Sequence, residues 1–385
     1  MKRLLTSCII LGVAIATVRT LHGQSSFTQL LGGMYAQDGV GVMPTATGWM
    51  VAARIYDPGA RRYRPFLMHC GSNGQLNGQA ELPLNGAVFL QAMAMGTGDD
   101  RFIAGSSFAP GRTDHDGVLI KLDAQANVLW AVRPDLPGQQ QYLGVASLPD
   151  GGAVVCGVSV TGATHDVLVA RFDAQGGVLW TQVFPSIFDE EANGVAVDAT
   201  GLVIAGRRMN AGGASDAMAM RLDLQGALQW DNSTGSALNE TAKAVVRAPD
   251  GRFILAGHTD GLGPQDHLGR RKRCVHLIKL DHNGDTLWTR VHGDTIFNRA
   301  AHAIALASNG DLIIGGERYR SAIGDAMAMR CGTNGQLSWE RAYETGKEAK
   351  LLHVHALAQG FVASGWSFAE LGRQVLLLRR NDQGD

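Results

Sequence analysis

The densest run of chemically able side chains lies at residues 258–273. His258, Asp260, Asp266 and His267 are followed there by four adjacent cations, Arg270, Arg271, Lys272 and Arg273. Adjacent cations can hold a carboxylate, sulfate or phosphate group on a partner through charge-assisted hydrogen bonds. The same composition also describes a solvated loop whose charges only keep it wet. These residues form the candidate ligand-binding set, and polyanion binding separates the two readings.

Other constellations carry less. His115-Asp116 and His165-Asp166 are equivalent pairs, and Asp266-His267 is placed on the same face. A zinc or calcium site needs three or more converging ligands, and two neighbouring pairs supply part of one. Asp216 and Asp325 repeat the acid without the histidine, which points to a turn or cap role. His353 and His355 stand two apart, so a strand would place both on one side, lining a channel or filling space beside a neighbouring element. Asp189-Glu190-Glu191 is adjacent in sequence and is not the opposed pair that glycoside hydrolysis needs. No nucleophile elbow, zinc-protease helix or Gly-rich phosphate loop occurs, so no catalytic, metal or cofactor residue is assigned. With 34 basic against 35 acidic residues, a general attraction to nucleic acid or anionic lipid is not expected.

The elements that must position these groups are read from a repeat. Polar turns recur at Asn73-Gly74, Gln125-Ala126, Gln175-Gly176, Gln225-Gly226, Asn283-Gly284, Asn334-Gly335 and Gln383-Gly384. The aromatic that follows the turn falls at Trp130, Trp180, Trp230, Trp288 and Trp339, with Gly78 in its place in the first copy and Phe27 preceding that copy. A period of about 50 residues, each copy resolving into four short strands, is the pattern of a propeller blade. The second strand of each copy carries a small pair, among them Ala104-Gly105, Cys156-Gly157, Ala256-Gly257 and Ser364-Gly365, placed at the strand's end where side chains shrink toward a central axis. Phe27-Thr28-Gln29-Leu30 matches an outer strand without its blade, and the chain closes on a third strand without its outer partner. The expected fold is therefore all-β, a seven-bladed β-propeller of four-stranded antiparallel blades, its ring closed by the N-terminal strand pairing into the last blade. Such pairing removes two raw sheet edges.

The segments DVLVARFD at 166–173 with Gly176 and Trp180, and DAMAMRLD at 216–223 with Gly226 and Trp230, resemble the units of the secreted bacterial β-propeller repeat family. The resemblance covers residues 26–385 and implies an exported or surface protein of Bacteroidetes or related bacteria. Copies one, six and seven place Gly71, Gly332 and Asn381 where the others have Asp before the turn, so that Asp reads as a turn device. Trp230-Asp231 is a lone Trp-Asp dipeptide, so the WD40 signature is absent. A quinoprotein resemblance would imply eight blades and an added cofactor site.

Lys2 and Arg3 precede an apolar stretch at residues 4–18, which reads as a secretory signal peptide within residues 1–23, cut between about residues 16 and 25. Residues 24–385 then form one propeller domain with no transmembrane segment in the mature chain, monomeric by default. Cys70, Cys156, Cys274 and Cys331 are expected as free, mostly buried thiols. The functional expectation is a secreted or cell-surface binding scaffold for a protein or a glycan. Its rival is an exported propeller enzyme, a hydrolase, lyase or quinoprotein-like oxidoreductase, whose groups converge on the varied-loop face.

Overall fold

The computed structural model describes residues 26–33, 35–108, 114–321, 323–345, 348–369 and 372–385. The expected signal peptide, residues 1–23, lies outside them. The strands form seven antiparallel sheets of four. Blades 1 to 6 are sequential, at residues 37–81, 87–132, 139–184, 190–234, 240–292 and 298–343. Blade 7 is composite, its order from the outside being Phe27–Leu31, Gly372–Arg380, Phe361–Ala369 and Ala349–Ala356. Phe27 stands opposite Arg379 and Leu31 opposite Val375, the closure that the orphan strands at the two ends require. No helix among the described residues is long and apolar enough to cross a membrane.

The core lies between blades. Val154, Cys156, Val167 and Val169 of blade 3 pack on Ala192, Ile204, Met218 and Met220 of blade 4, and each seam repeats the arrangement with its own residues. Burying one such Val, Leu or Met side chain contributes about 1.5–3 kcal/mol, so seams of this kind hold the ring.

The repeated polar residues are scaffold. Asp173 Oδ1 accepts the N–H groups of Gln175 and Gly177, and Asp123, Asp223 and Asp281 do the same in their turns. Asn381 replaces the Asp without loss, and in copies one and six Asn73 and Asn334 take over the role. The cation closing the third strand pairs with an acid of its own inner hairpin, as in Arg221 with Asp198 and Lys279 with Asp250. The four cysteines are free and buried. Burial pushes the Cys70 and Cys274 thiols up to about 11, and Cys331 up to about 12, so they are inert at neutral pH.

The small pairs need a different account from the one the sequence suggested. Ala256-Gly257 lies within Phe253–Thr259 and Cys156-Gly157 within Ala153–Val160, in mid-strand and not at the end. Their glycine faces an irregularity in the innermost strand. A Cβ at Gly257 would fall 1.8 Å from the Thr241 carbonyl oxygen, and one at Gly157 would fall 1.8 Å from that of Gln141. The requirement is thus a close backbone approach, set by the bulge beside it.

Candidate functional site

Every innermost strand carries one bulge. The register steps from Ala242 to Ala244, from Ala192 to Gly194 and from Ala301 to Ala303, leaving Lys243, Asn193 and His302 unpaired with the second strand. The other blades give Val40, Gln91, Leu143 and Leu352 the same place. An extra residue bends the strand and re-aims its side chain. Here the seven bulge residues all line one central cavity of about 520 Å³. Among the bulge residues, blades 2, 4, 5 and 6 supply polar side chains and blades 1, 3 and 7 apolar ones, while Arg54 of blade 1 and His353 of blade 7 add polar groups to the lining.

Above the bulges, toward the face of the long second-to-third-strand loops, the mouth of the channel is ionic. Glu191 pairs with Arg207 at 3.0 Å and Lys243 at 3.3 Å, and Lys243 also donates to Asn193 Oδ1 at 3.0 Å. Glu317 binds His302 at 3.2 Å and Lys350 at 2.8 Å. On the other side Asp38 holds Arg54 at 2.8 Å and Arg373 at 2.6 Å. Arg54, Arg207, Lys243, Lys350 and Arg373 thus face Asp38, Glu191, Glu317 and, at 3.9 Å from Lys350, Glu348. Burial alone would raise the carboxyls of Glu191 and Glu317. Lys243 and Arg207 outweigh it at the first, and His302 and Lys350 at the second, so both sit below their ordinary values. Ionised, paired acids suit recognition and do not supply a proton at neutral pH.

His353 lines the cavity wall at the seam between blades 7 and 1, where its Nδ1 accepts the Val42 N–H at 3.3 Å. Burial and the neighbouring His355 hold its imidazole well below the usual range, so it is neutral. It fills the closing seam and lines the channel at once. Elsewhere Gly144 and Gly194 let adjacent strands approach at this depth, Gly144 lying beside Gly194 and Gly194 beside Ala244.

The candidate loop sits at one side of this mouth. His258 belongs to the strand Phe253–Thr259 and is half-buried, with burial and Arg273 depressing its pKa to about 3. Asp260 takes Arg273 through two contacts, at 2.7 and 3.0 Å. Asp266 caps its own turn through the N–H groups of Leu268 and Arg270 and pairs with Arg270 and Lys272 at 3.0 and 3.1 Å. Arg271 donates to the Gly263 carbonyl, and His267 is exposed. Each of the four cations therefore already has a partner within the loop, while the Arg270 side chain stays 67% exposed. The His-Asp pairs serve locally: Asp166 accepts the Ser186 N–H, and His115 contacts Gln141. No group of three metal-ligating side chains occurs among the described residues.

The bulge ring and its ionic mouth escaped the sequence reading. Their signal was present, because Gln91, Asn193, Lys243 and His302 each precede a small residue at the 50-residue period and differ between copies. Nothing local marks that position as a bulge.

No protein-family model matches the chain, and no curated protein matches it. Among solved structures it is similar to the crystal structure of the WD40 beta propeller domain of Doa1, with 13% sequence identity, a TM-score of 0.53, and coverage of 93% of this chain and 96% of that one. At that identity the likeness shows the fold alone, and the ring is shared without the Trp-Asp signature.

Proposed function

We propose that this chain is an exported, non-enzymatic propeller that binds a protein or a glycan on the face around the channel mouth. The observation that carries the reading is the contrast between positions: turn acids, third-strand cations and outer-strand Trp repeat from blade to blade, whereas the innermost-strand residues at the mouth, Asp38, Phe89, Gln141, Glu191, Thr241, Ala300 and Lys350, differ in every blade. Residues that hold the ring recur, and residues that differ at one level around the channel are free to serve recognition. The paired, ionised carboxylates at that mouth support binding over acid–base catalysis. Propellers commonly serve as interaction platforms, and the similarity to a WD40 domain accords with this. Export, and membership of the secreted bacterial repeat family, rest on the basic start, the apolar stretch at residues 4–18 and the repeat units.

The test is a screen of the purified protein against glycans and matrix proteins, run beside Lys243→Ala and beside a variant with Arg270, Arg271, Lys272 and Arg273 changed to Ser. A retained ligand lost in Lys243→Ala places binding at the mouth, and one lost only in the serine variant places it on the loop. Turnover of a substrate that Glu191→Gln abolishes would replace the reading with an enzyme. Export is checked by the N-terminus of the mature protein, expected after a cut between about residues 16 and 25.

A further inference from the structure

On the varied face, blades 1 and 2 carry an aromatic cluster beside the ion pairs of Asp38 with Arg54 and Arg373. Tyr56 and Tyr63 pair across one hairpin with ring centroids 5.2 Å apart, and Tyr63 meets Phe89 of blade 2 edge-on at 4.9 Å and 85°. Phe108 and His115, 5.2 Å apart, form the cross-strand pair at the mouth of the corresponding blade 2 hairpin. Between the two pairs runs a groove of about 400 Å³, walled by Tyr56, Tyr63, Phe89 and Phe108, with Arg61 and Arg62 exposed beside them. Its volume lies at the small-ligand end of the usual range of about 300–1,000 Å³.

Three features set the groove apart from core packing. Phe89 takes the place where the other blades put Asp38, Gln141, Glu191, Thr241, Ala300 and Lys350. Phe108, at 42% exposed, is a large apolar side chain left on the surface. Arg61 is held at φ 51°, in the left-handed region that non-glycine residues rarely occupy. Among the described residues the Arg61 and Arg62 side chains make no hydrogen bond or ion pair. Arg62 stands opposite Asp57 across the hairpin and helps to hold that carboxyl below its ordinary value, and two exposed cations beside aromatic walls still disfavour a cationic guest, which such rings alone would attract. They favour a guest with flat apolar faces and negative edges.

The inner wall of the groove borders the channel mouth: the Arg54 guanidinium lies 3.9 Å over Phe89 and is bonded there to Asp38, the Leu90 carbonyl and Gln91. A pyranose that bears a carboxylate offers an apolar face for the rings and a negative edge for the cations beside them.

We propose that the groove between blades 1 and 2 binds uronate-bearing oligosaccharides, with a pyranose face on Tyr63 and Phe89 and its carboxylate toward Arg61 and Arg62. This rests on the varied face being the binding face, and it names the ligand class. The experiment is calorimetric titration of the full chain with tetragalacturonate, with maltotetraose and tetraglutamate as controls. Variants are Arg61→Ala/Arg62→Ala, Phe108→Ala, and Arg270→Ala/Arg271→Ala on the far side of the ring, each checked for an unchanged melting temperature.

The expected result is saturable binding of tetragalacturonate, weakened tenfold or more by either groove variant and by raised salt, and unaffected by the far-side variant. Absence of tetragalacturonate binding, equal binding of maltotetraose, or insensitivity to both groove variants would overturn the assignment. Tetraglutamate binding with the same sensitivity would overturn it in favour of an acidic peptide. A different glycan or protein captured in the broad screen, indifferent to Arg61, Arg62 and Phe108, would leave the scaffold reading standing and remove only this one.

Discussion

The indole Nε1 of Trp180 in blade 3 donates to the carbonyl oxygen of Leu224 in the turn of blade 4 at 3.0 Å. The ring lies under Gly226 of the same turn, where a Cβ would come within 3.0 Å of it. Trp130 with Ala174, Trp230 with His282 and Trp339 with Asp382 repeat the bond. Phe27 takes the packing half of the role against Gly74, across the closure of the ring. The outer-strand aromatic is therefore a rivet from each blade to the next.

Trp180→Phe keeps most of the packing and deletes the bond, so we expect a loss of about 1 kcal/mol in urea unfolding. Gly78 is the one repeat position without a rivet, and the turn it faces carries Ala126 where the other turns have Gly. Gly78→Trp combined with Ala126→Gly should stabilise the ring more than the two changes separately. A strictly additive double mutant would show that the pair does not couple.

His276 is 3% exposed, and neither ring nitrogen has a hydrogen-bond partner among the described residues. The same position opposite the small residue holds Phe66, Val118, Leu168, Met218, Met327 and Leu376 in the other blades. Burial lowers its pKa to about 4. Because the folded value lies below the ordinary one of about 6.5, the unfolded chain takes up the proton first, and stability falls as pH drops from about 6.5 toward that folded value. His276→Met should raise stability by about 1 kcal/mol at neutral pH and flatten the acid limb of the stability profile. An unchanged acid limb would assign the sensitivity to other groups.

Removing residues 26–31 takes away the outer strand of blade 7, together with the Arg380 contact to the Phe27 carbonyl at 2.6 Å. The strand Gly372–Arg380 then presents a raw edge, which invites pairing with another chain. We expect a lower melting temperature and concentration-dependent association, read by light scattering. A monomer of unchanged stability would argue against closure by this strand.

Gly257→Ala places a methyl group against the Thr241 carbonyl oxygen and forces the bulge at Lys243 to shift. The expected cost is about 1–3 kcal/mol, the range for overpacking. Any ligand that depends on Lys243 should bind more weakly to this variant, even under conditions where it remains folded. Unchanged stability would mean that the bulge tolerates a Cβ there.

The seven-bladed ring was legible because each blade writes its strands and turns locally. The Asp or Asn that caps a turn sits two to four residues from the N–H groups it serves, and the period exposes Phe27 as a displaced outer strand. The site was legible only in part. The cation run at 270–273 stands out in sequence, yet the fold spends its charges on Asp260, Asp266 and Gly263.

What sequence alone determined is thus the repeat, its closure and the scaffold role of its recurring residues, since all of these follow from short-range hydrogen bonding and a constant spacing. What the tertiary structure decided is which variable residues meet. Lys243, Asn193, His302 and Gln91 converge because a bulge re-aims one residue in each innermost strand and the closed ring points all seven at one axis. Tyr63 and Phe89 meet because adjacent blades are in register across a seam. Neither convergence has a local signature, because residues tens of positions apart are brought together by ring geometry and not by chain proximity.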